Sequence, residues 1–270
     1  MKKIIALLSI FTLFVSSCSS DDTVVETPVN NTSILVKKII KTNPGYPNNN
    51  AEIFTYTYNG NKLWKIDFVE IQDNVINFTY TDVYYYTGDL ITKIEYANNG
   101  GVGQYISFEY DNDKLISERS YYKLGTGDIY ENYKYEYIHN LNGTIESKLY
   151  TNNYTSGVND FVLIRKYLIE KNPNQEVSKI TKQSFPYWSS TEVYEYDYDN
   201  NNSCIKNILG FDKIFVLDGI PRFTGMHNNI LSVKTNNVET ESAVFQYNSS
   251  GFPVSSTVSD AGITEFQFFY

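Results

Sequence analysis

The residues best suited to chemistry in this chain are few and poorly grouped for it. There are two histidines, His139 and His227, and two cysteines, Cys18 and Cys204. Zinc sites need ligands at short, characteristic spacing. Neither histidine has a second histidine or a cysteine at such spacing, so no metal is expected. Asp197, Asp199 and Asn201 alternate like the start of a calcium loop. Asn202 stands where that loop needs glycine, however, and Ile208 where a bidentate glutamate closes it. Asp111-Asn112-Asp113 is a similar run, and such residues serve tight turns for backbone reasons alone. No Gly-x-Ser-x-Gly elbow is present. Carboxylates are plentiful, and none of them pairs with another in a way that marks a glycosidase site. The expectation is a protein without catalysis and without a cofactor.

Cys18 is the exception, because of what precedes it. Lys2 and Lys3 form a positive start, and Ile4 to Val15 is apolar apart from Ser9 and Thr12. That stretch is too short for a stable membrane span, which needs about 20 residues, and fits a secretory signal peptide. Val15-Ser16-Ser17-Cys18 resembles the lipobox of bacterial lipoproteins. The resemblance implies cleavage before Cys18 and acylation of its sulfur, which makes a membrane the expected partner. Cys204 is then the only other cysteine, and reads as a small buried apolar residue. The expected organisation is a signal peptide over 1–17, a flexible tether over 18–32 and one domain over 33–270. Ser20-Asp21-Asp22 resembles the export signal of Bacteroidota surface lipoproteins, which implies the outer face of the outer membrane. A periplasm-facing lipoprotein is the alternative. The formal net charge of −9 repels phosphate backbones, so nucleic acid is not an expected partner.

The elements that carry these residues are strands. Tyrosine and phenylalanine are abundant, at 25 and 16 residues, and aromatic rings favour a pleated, half-buried surface. One pattern recurs: a strand ending in tyrosine, a short Asn/Asp/Gly turn, then an aliphatic residue opening a second strand. Tyr56-Thr57-Tyr58-Asn59-Gly60-Asn61-Lys62-Leu63 is the first clear copy, and Tyr85-Tyr86-Thr87-Gly88-Asp89-Leu90-Ile91 the second. Phe108-Glu109-Tyr110-Asp111-Asn112-Asp113-Lys114-Leu115 is the third. The anchoring tyrosines are Tyr58, Tyr86, Tyr110, Tyr137, Tyr167, Tyr198 and Tyr247, within the repeat range of about 20 to 50 residues. A lone hairpin cannot bury its apolar face, so neighbours must pair. The expected fold is all-β: consecutive antiparallel β-hairpin repeats in one long twisted sheet, open or curled into a partial barrel.

These copies resemble the YD repeats of Rhs-like proteins, whose signature runs Tyr-x-Tyr-Asp-x-x-Gly-x-Leu, and a group of Bacteroidota lipoproteins built from such units. Several turns here lack the glycine, and seven copies are too few for the toxin-enclosing shell of large Rhs proteins. The repeat breaks at an insert over about 202–229, and long insertions in repeat folds are often functional. Uniform hairpins offer many equivalent surfaces, so a binding site is expected at this break. Phe211, Phe215, Arg222, Phe223 and His227 lie in the insert, and Tyr187 and Trp188 in another irregular stretch. Together they read as a ligand-binding set, with a glycan or a surface protein as partner, because tyrosine and tryptophan join apolar area to a hydrogen-bonding tip. The function read from sequence is therefore a lipid-anchored, ligand-binding envelope protein. A structural or adhesive spacer is the alternative.

Overall fold

The computed structural model describes residues 33–270 except 45–49, 99–100, 124–126, 153–159, 186–189, 215–223 and 261. The expected signal peptide and tether, Cys18 included, lie outside the described residues. Sixteen antiparallel strands run in chain order. They are β1 (Lys38–Thr42), β2 (Ala51–Asn59), β3 (Lys62–Gln72), β4 (Val75–Thr87), β5 (Leu90–Asn98), β6 (Gly101–Asp111), β7 (Lys114–Lys123) and β8 (Ile129–His139). After them come β9 (Ile145–Asn152), β10 (Phe161–Lys171), β11 (Val177–Ser184), β12 (Thr191–Tyr198), β13 (Ile230–Thr235), β14 (Val238–Tyr247), β15 (Pro253–Ser259) and β16 (Ile263–Phe269). Each strand pairs with its neighbours in sequence, and β1 pairs with β16, so the sheet closes into a barrel. The closing register sets Ile39 opposite Phe268 on one side and Phe54 on the other. The expectation of an all-β fold of consecutive hairpins holds. The open sheet or partial barrel does not. Closure removes the two unpaired edges that an open sheet would expose to other chains.

Alternation divides each strand between lumen and wall. One lumenal row runs Phe268, Ile39, Phe54, Phe68, Tyr80 across consecutive strands. Phe54 and Phe68 lie 5.1 Å apart at their ring centres, and Phe68 stacks on Tyr80 at 4.4 Å. The outer face carries charge instead. Lys65 pairs with Asp67 at 2.6 Å, Lys93 with Glu95 at 2.8 Å, Lys134 with Glu136 at 2.9 Å and Lys234 with Asp197 at 3.0 Å. Lys93 holds the Glu95 carboxyl below the usual carboxylate range, aided by the Tyr85 hydroxyl.

The recurring tyrosines have a common task at one rim. The register shifts just before Tyr58, Tyr86, Tyr110, Tyr198 and Tyr247. Each shift is a bulge, which twists the strand and re-aims the next side chain. The tyrosine hydroxyl then reaches back to the backbone where the preceding hairpin's second strand opens. Tyr110 donates to the Ile91 carbonyl at 2.7 Å and Tyr198 to the Val177 carbonyl at 2.8 Å. Tyr86 accepts from the Leu63 amide at 3.1 Å, Tyr58 donates to the Val36 carbonyl at 2.6 Å and Tyr270 to the Pro253 carbonyl at 3.0 Å. Adjacent hairpins are thus stapled at one end of the barrel. The extra residue of a bulge points outward, which leaves Trp64 and Ile116 exposed. Three expected anchors depart from the pattern. The Tyr247 hydroxyl donates to the Asp199 carboxylate. Tyr137 donates to the Glu118 carboxylate at 3.1 Å, and His139, two residues on, makes the backbone contact, with its Nε2 2.8 Å from the Leu115 carbonyl. In β10 the residue after the bulge is Lys171, not Tyr167.

Candidate functional site: the lumen and its stopper

A sixteen-strand barrel is wide enough to leave an aqueous channel unless something fills it. Here the insert fills one end. Ser203, Cys204, Ile205, Ile208, Phe211 and Ile214 are all buried, most of them among the lumenal aliphatic and aromatic side chains. Phe211 stacks on Tyr84 from the wall, with ring centres 5.7 Å apart. The Leu209 amide donates to the Asn61 carbonyl at 3.0 Å, and the Tyr86 hydroxyl donates to the Leu209 carbonyl at 3.2 Å. Gly210 has φ 82 and lies so close to the turn before β5 that a Cβ would meet the Asp89 carbonyl oxygen at 2.8 Å. Only glycine meets both conditions without strain. Phe211–Lys213 is a single 3-10 turn.

Two carboxylates hold the insert's return. Glu176, 1% exposed, accepts backbone amides from Met226 at 2.9 Å, His227 at 2.6 Å and Asn228 at 2.7 Å. Hydrogen bonds from backbone N–H to an ionised carboxylate are roughly twice as strong as neutral ones. Asp199 accepts from the backbone amides of Asn201 and Asn229, from the Asn229 side chain, and from the Tyr247 hydroxyl. Its oxygens are taken by these structural bonds, which is why the Asp197-Asp199-Asn201 alternation is a turn device. Among the described residues no group of three or more His, Cys, Asp or Glu is placed to hold a metal. Burial pushes the Cys204 thiol up to about 12, with its sulfur 3.8 Å from the Thr224 hydroxyl, as befits an inert core cysteine.

Of the expected ligand-binding set, two residues fall among the described ones. Phe211 is in the core. His227 is half-buried and fixed through its backbone to Glu176. Tyr187, Trp188, Phe215, Arg222 and Phe223 lie outside the described residues. What sequence reasoning missed is the set of buried carboxylates Asp82, Glu118 and Glu176. The bulge at Ile116 explains one miss. Strict alternation from Leu115 puts Glu118 on the outer face, whereas the extra residue turns it into the lumen.

The opposite end of the lumen is polar. Lys41 pairs with Glu52 at 2.7 Å, and Lys182 with Glu192 at 2.7 Å. Lys41, Glu52 and Glu70 line one recess there, of about 190 Å3. The Tyr194 hydroxyl donates to Glu192 at 2.5 Å, and Arg165 is exposed on the same wall.

Comparison with known proteins places this architecture. No protein-family model matches the sequence, and no curated protein does. The fold is similar to a porin-like protein from Bacteroides uniformis ATCC 8492, with a TM-score of 0.54 and 9% identity over 87% of this chain and 97% of that one. It is also similar to a porin-like protein from Bacteroides vulgatus ATCC 8482, with a TM-score of 0.51 and 12% identity over 88% of this chain and 99% of that one. The fold is therefore a porin-like closed barrel. This overturns the reading as Rhs-like YD repeats: the hairpins are the meander of one closed sheet. It also overturns the reading as a ligand-binding surface protein and its spacer alternative. Both rested on a chain of separate repeat units, and in a porin-like barrel the distinctive space is the lumen.

Proposed function

We propose that this chain is a non-catalytic, porin-shaped barrel of the outer membrane that stands in water beside the bilayer, tethered by lipid on Cys18, and works through its lumen. The lumen is a one-ended vestibule: stoppered by the insert, polar at the other rim, and suited to small polar solutes. One observation carries this reading. A membrane-spanning barrel turns apolar residues to lipid and polar ones inward, and a lysine or arginine at mid-bilayer costs about 2 to 4 kcal/mol. Here the alternation runs the other way. The rows Lys65–Asp67, Lys93–Glu95 and Lys134–Glu136 face outward, and Phe54, Phe68, Ile94 and Ile106 face inward. The Cys18 tether supports the location, since the fold alone does not place a protein in an envelope.

The porin-like fold favours a second reading, a pore through the membrane. One experiment separates the two. The Cys18→Ser variant should leave the membrane fraction as a folded, water-soluble barrel. The lipidated protein in liposomes should cause no solute-driven swelling. A Cys18→Ser variant that resists alkaline carbonate extraction, together with conductance steps in a planar bilayer, would establish the pore and overturn the vestibule.

A further inference from the structure

The tyrosine staples fail at two adjacent places, and a cavity opens there. At the residue after the bulge, or its equivalent, the rim carries Tyr58, Tyr86, Tyr110, Tyr198 and Tyr247. In β8 and β10 the same place is held by His139 and Lys171. Both line a cavity of about 290 Å3 at the insert-side rim. The insert supplies the facing wall through Asp212 and Lys213, whose side chains pair at 2.9 Å. Asn140 and Thr144, in the turn after β8, with Asp113, Lys114 and Gln175, complete the polar lining.

Lys171 is the unusual member. It stands where other hairpins bury a phenol ring, and it is half-buried. No ion pair engages it among the described residues. Burial lowers its pKa and the like charge of Lys213 lowers it further, while the carboxylates of Asp212 and Glu176 act the other way without cancelling the effect. A half-buried ammonium facing a second ammonium is stabilised by an anion placed between them. A cavity this size is at the small end of ligand clefts, which start near about 300 Å3.

We propose that the seam between Lys171, His139 and the insert's Lys213 is a binding site for a small solute carrying a carboxylate or phosphate group. The anion sits beside the two ammonium groups; Asn140 and Thr144 are bonded within their own turn. The site lies at the rim opposite the vestibule and does not depend on it.

Inorganic phosphate and citrate, each titrated into the full-length protein by calorimetry, separate the two anion chemistries. At least one should bind saturably at millimolar concentration. Lys171→Gln should weaken that binding at least tenfold, Lys213→Gln by a smaller factor, and Lys234→Gln on the outer wall not at all. Circular dichroism and the unfolding midpoint confirm that each variant is folded. If Lys171→Gln misfolds, folded Lys213→Gln decides in its place, and unchanged binding there overturns the proposal. The proposal is overturned if neither anion binds the natural protein saturably, or if folded Lys171→Gln and Lys213→Gln bind as well as the parent.

Discussion

The two rims of this barrel are built on opposite principles. At the insert side, bulges aim tyrosines across the hairpin seams, and the insert packs Ile205, Ile208, Phe211 and Ile214 into the lumen. At the far side the lumenal positions hold Lys41, Glu52, Lys182 and Glu192, and the tips expose Val75, Ile76 and Val238. The contrast teaches where the stability of a wide barrel comes from. Sixteen strands enclose more space than their own side chains fill. One end is solved by importing a segment of chain, and the other is left to water and paired charges. Stability should therefore be unevenly distributed, and substitutions at the two rims measure that difference.

The largest effect is expected at the stopper. Phe211→Ala should cost about 3 to 5 kcal/mol in denaturant unfolding, as for a fully buried aromatic ring. Phe78→Ala on the far side, 46% exposed, should cost well under half of that. Equal losses would break the contrast.

Glu176→Ala removes the acceptor of three backbone amides inside the protein. A cost of about 3 kcal/mol is expected, because buried donors are left unpaired. Hydrogen exchange at Met226, His227 and Asn228 should rise with it. Unchanged exchange at these amides would show that the insert is held by other means.

The staples should be weaker singly. Tyr198→Phe should cost about 1 kcal/mol, the net worth of one hydrogen bond, whereas Tyr122→Phe on the far side should be silent. The staples also imply a pH dependence. Burial raises the hydroxyl pKa of Tyr58, Tyr110 and Tyr198 above the ordinary value of 10.0. The folded state thus favours the neutral phenol. That contribution is complete below about pH 10 and is lost as pH rises toward the folded-state values. Unfolding midpoints followed from pH 8 to 12 should fall above 10, and the fall should be shallower in Tyr198→Phe. The smallest effect is expected from Lys41→Ala, whose partly exposed pair with Glu52 is worth about 0 to 1 kcal/mol.

Much of the fold was legible, and the errors have physical causes. The Asn-Gly, Gly-Asp and Asn-Asp turns are local, and each marks a real hairpin at the insert-side rim. Thr57–Tyr58 to Leu63 and Glu109–Tyr110 to Leu115 lie where the sequence pattern puts them. Tyr137 and Tyr167 were mistaken for anchors because aromatic character was weighed over place. The bulge, which selects Lys171 in β10, is set by pairing with the next strand. The place of Phe211 was illegible for a related reason. An insert that breaks a repeat looks identical in sequence whether it projects outward or folds into the lumen. Its destination depends on the space that closure creates.

The amino-acid sequence by itself determined the strands, their antiparallel order and the tyrosine-rich rim, because alternation and turn chemistry act between residues close along the chain. It also determined the charged wall, through the Lys and Glu residues interleaved with aromatics. Closure, the porin-like form and the stoppered lumen were decided only in the tertiary structure. Pairing of β1 with β16 joins residues at opposite ends of the chain, and no local pattern encodes whether a twisted sheet of sixteen strands meets its own edge. Once it does, the enclosed volume must be filled or hydrated, and that requirement draws Phe211 inward while leaving Lys41 and Glu52 to water.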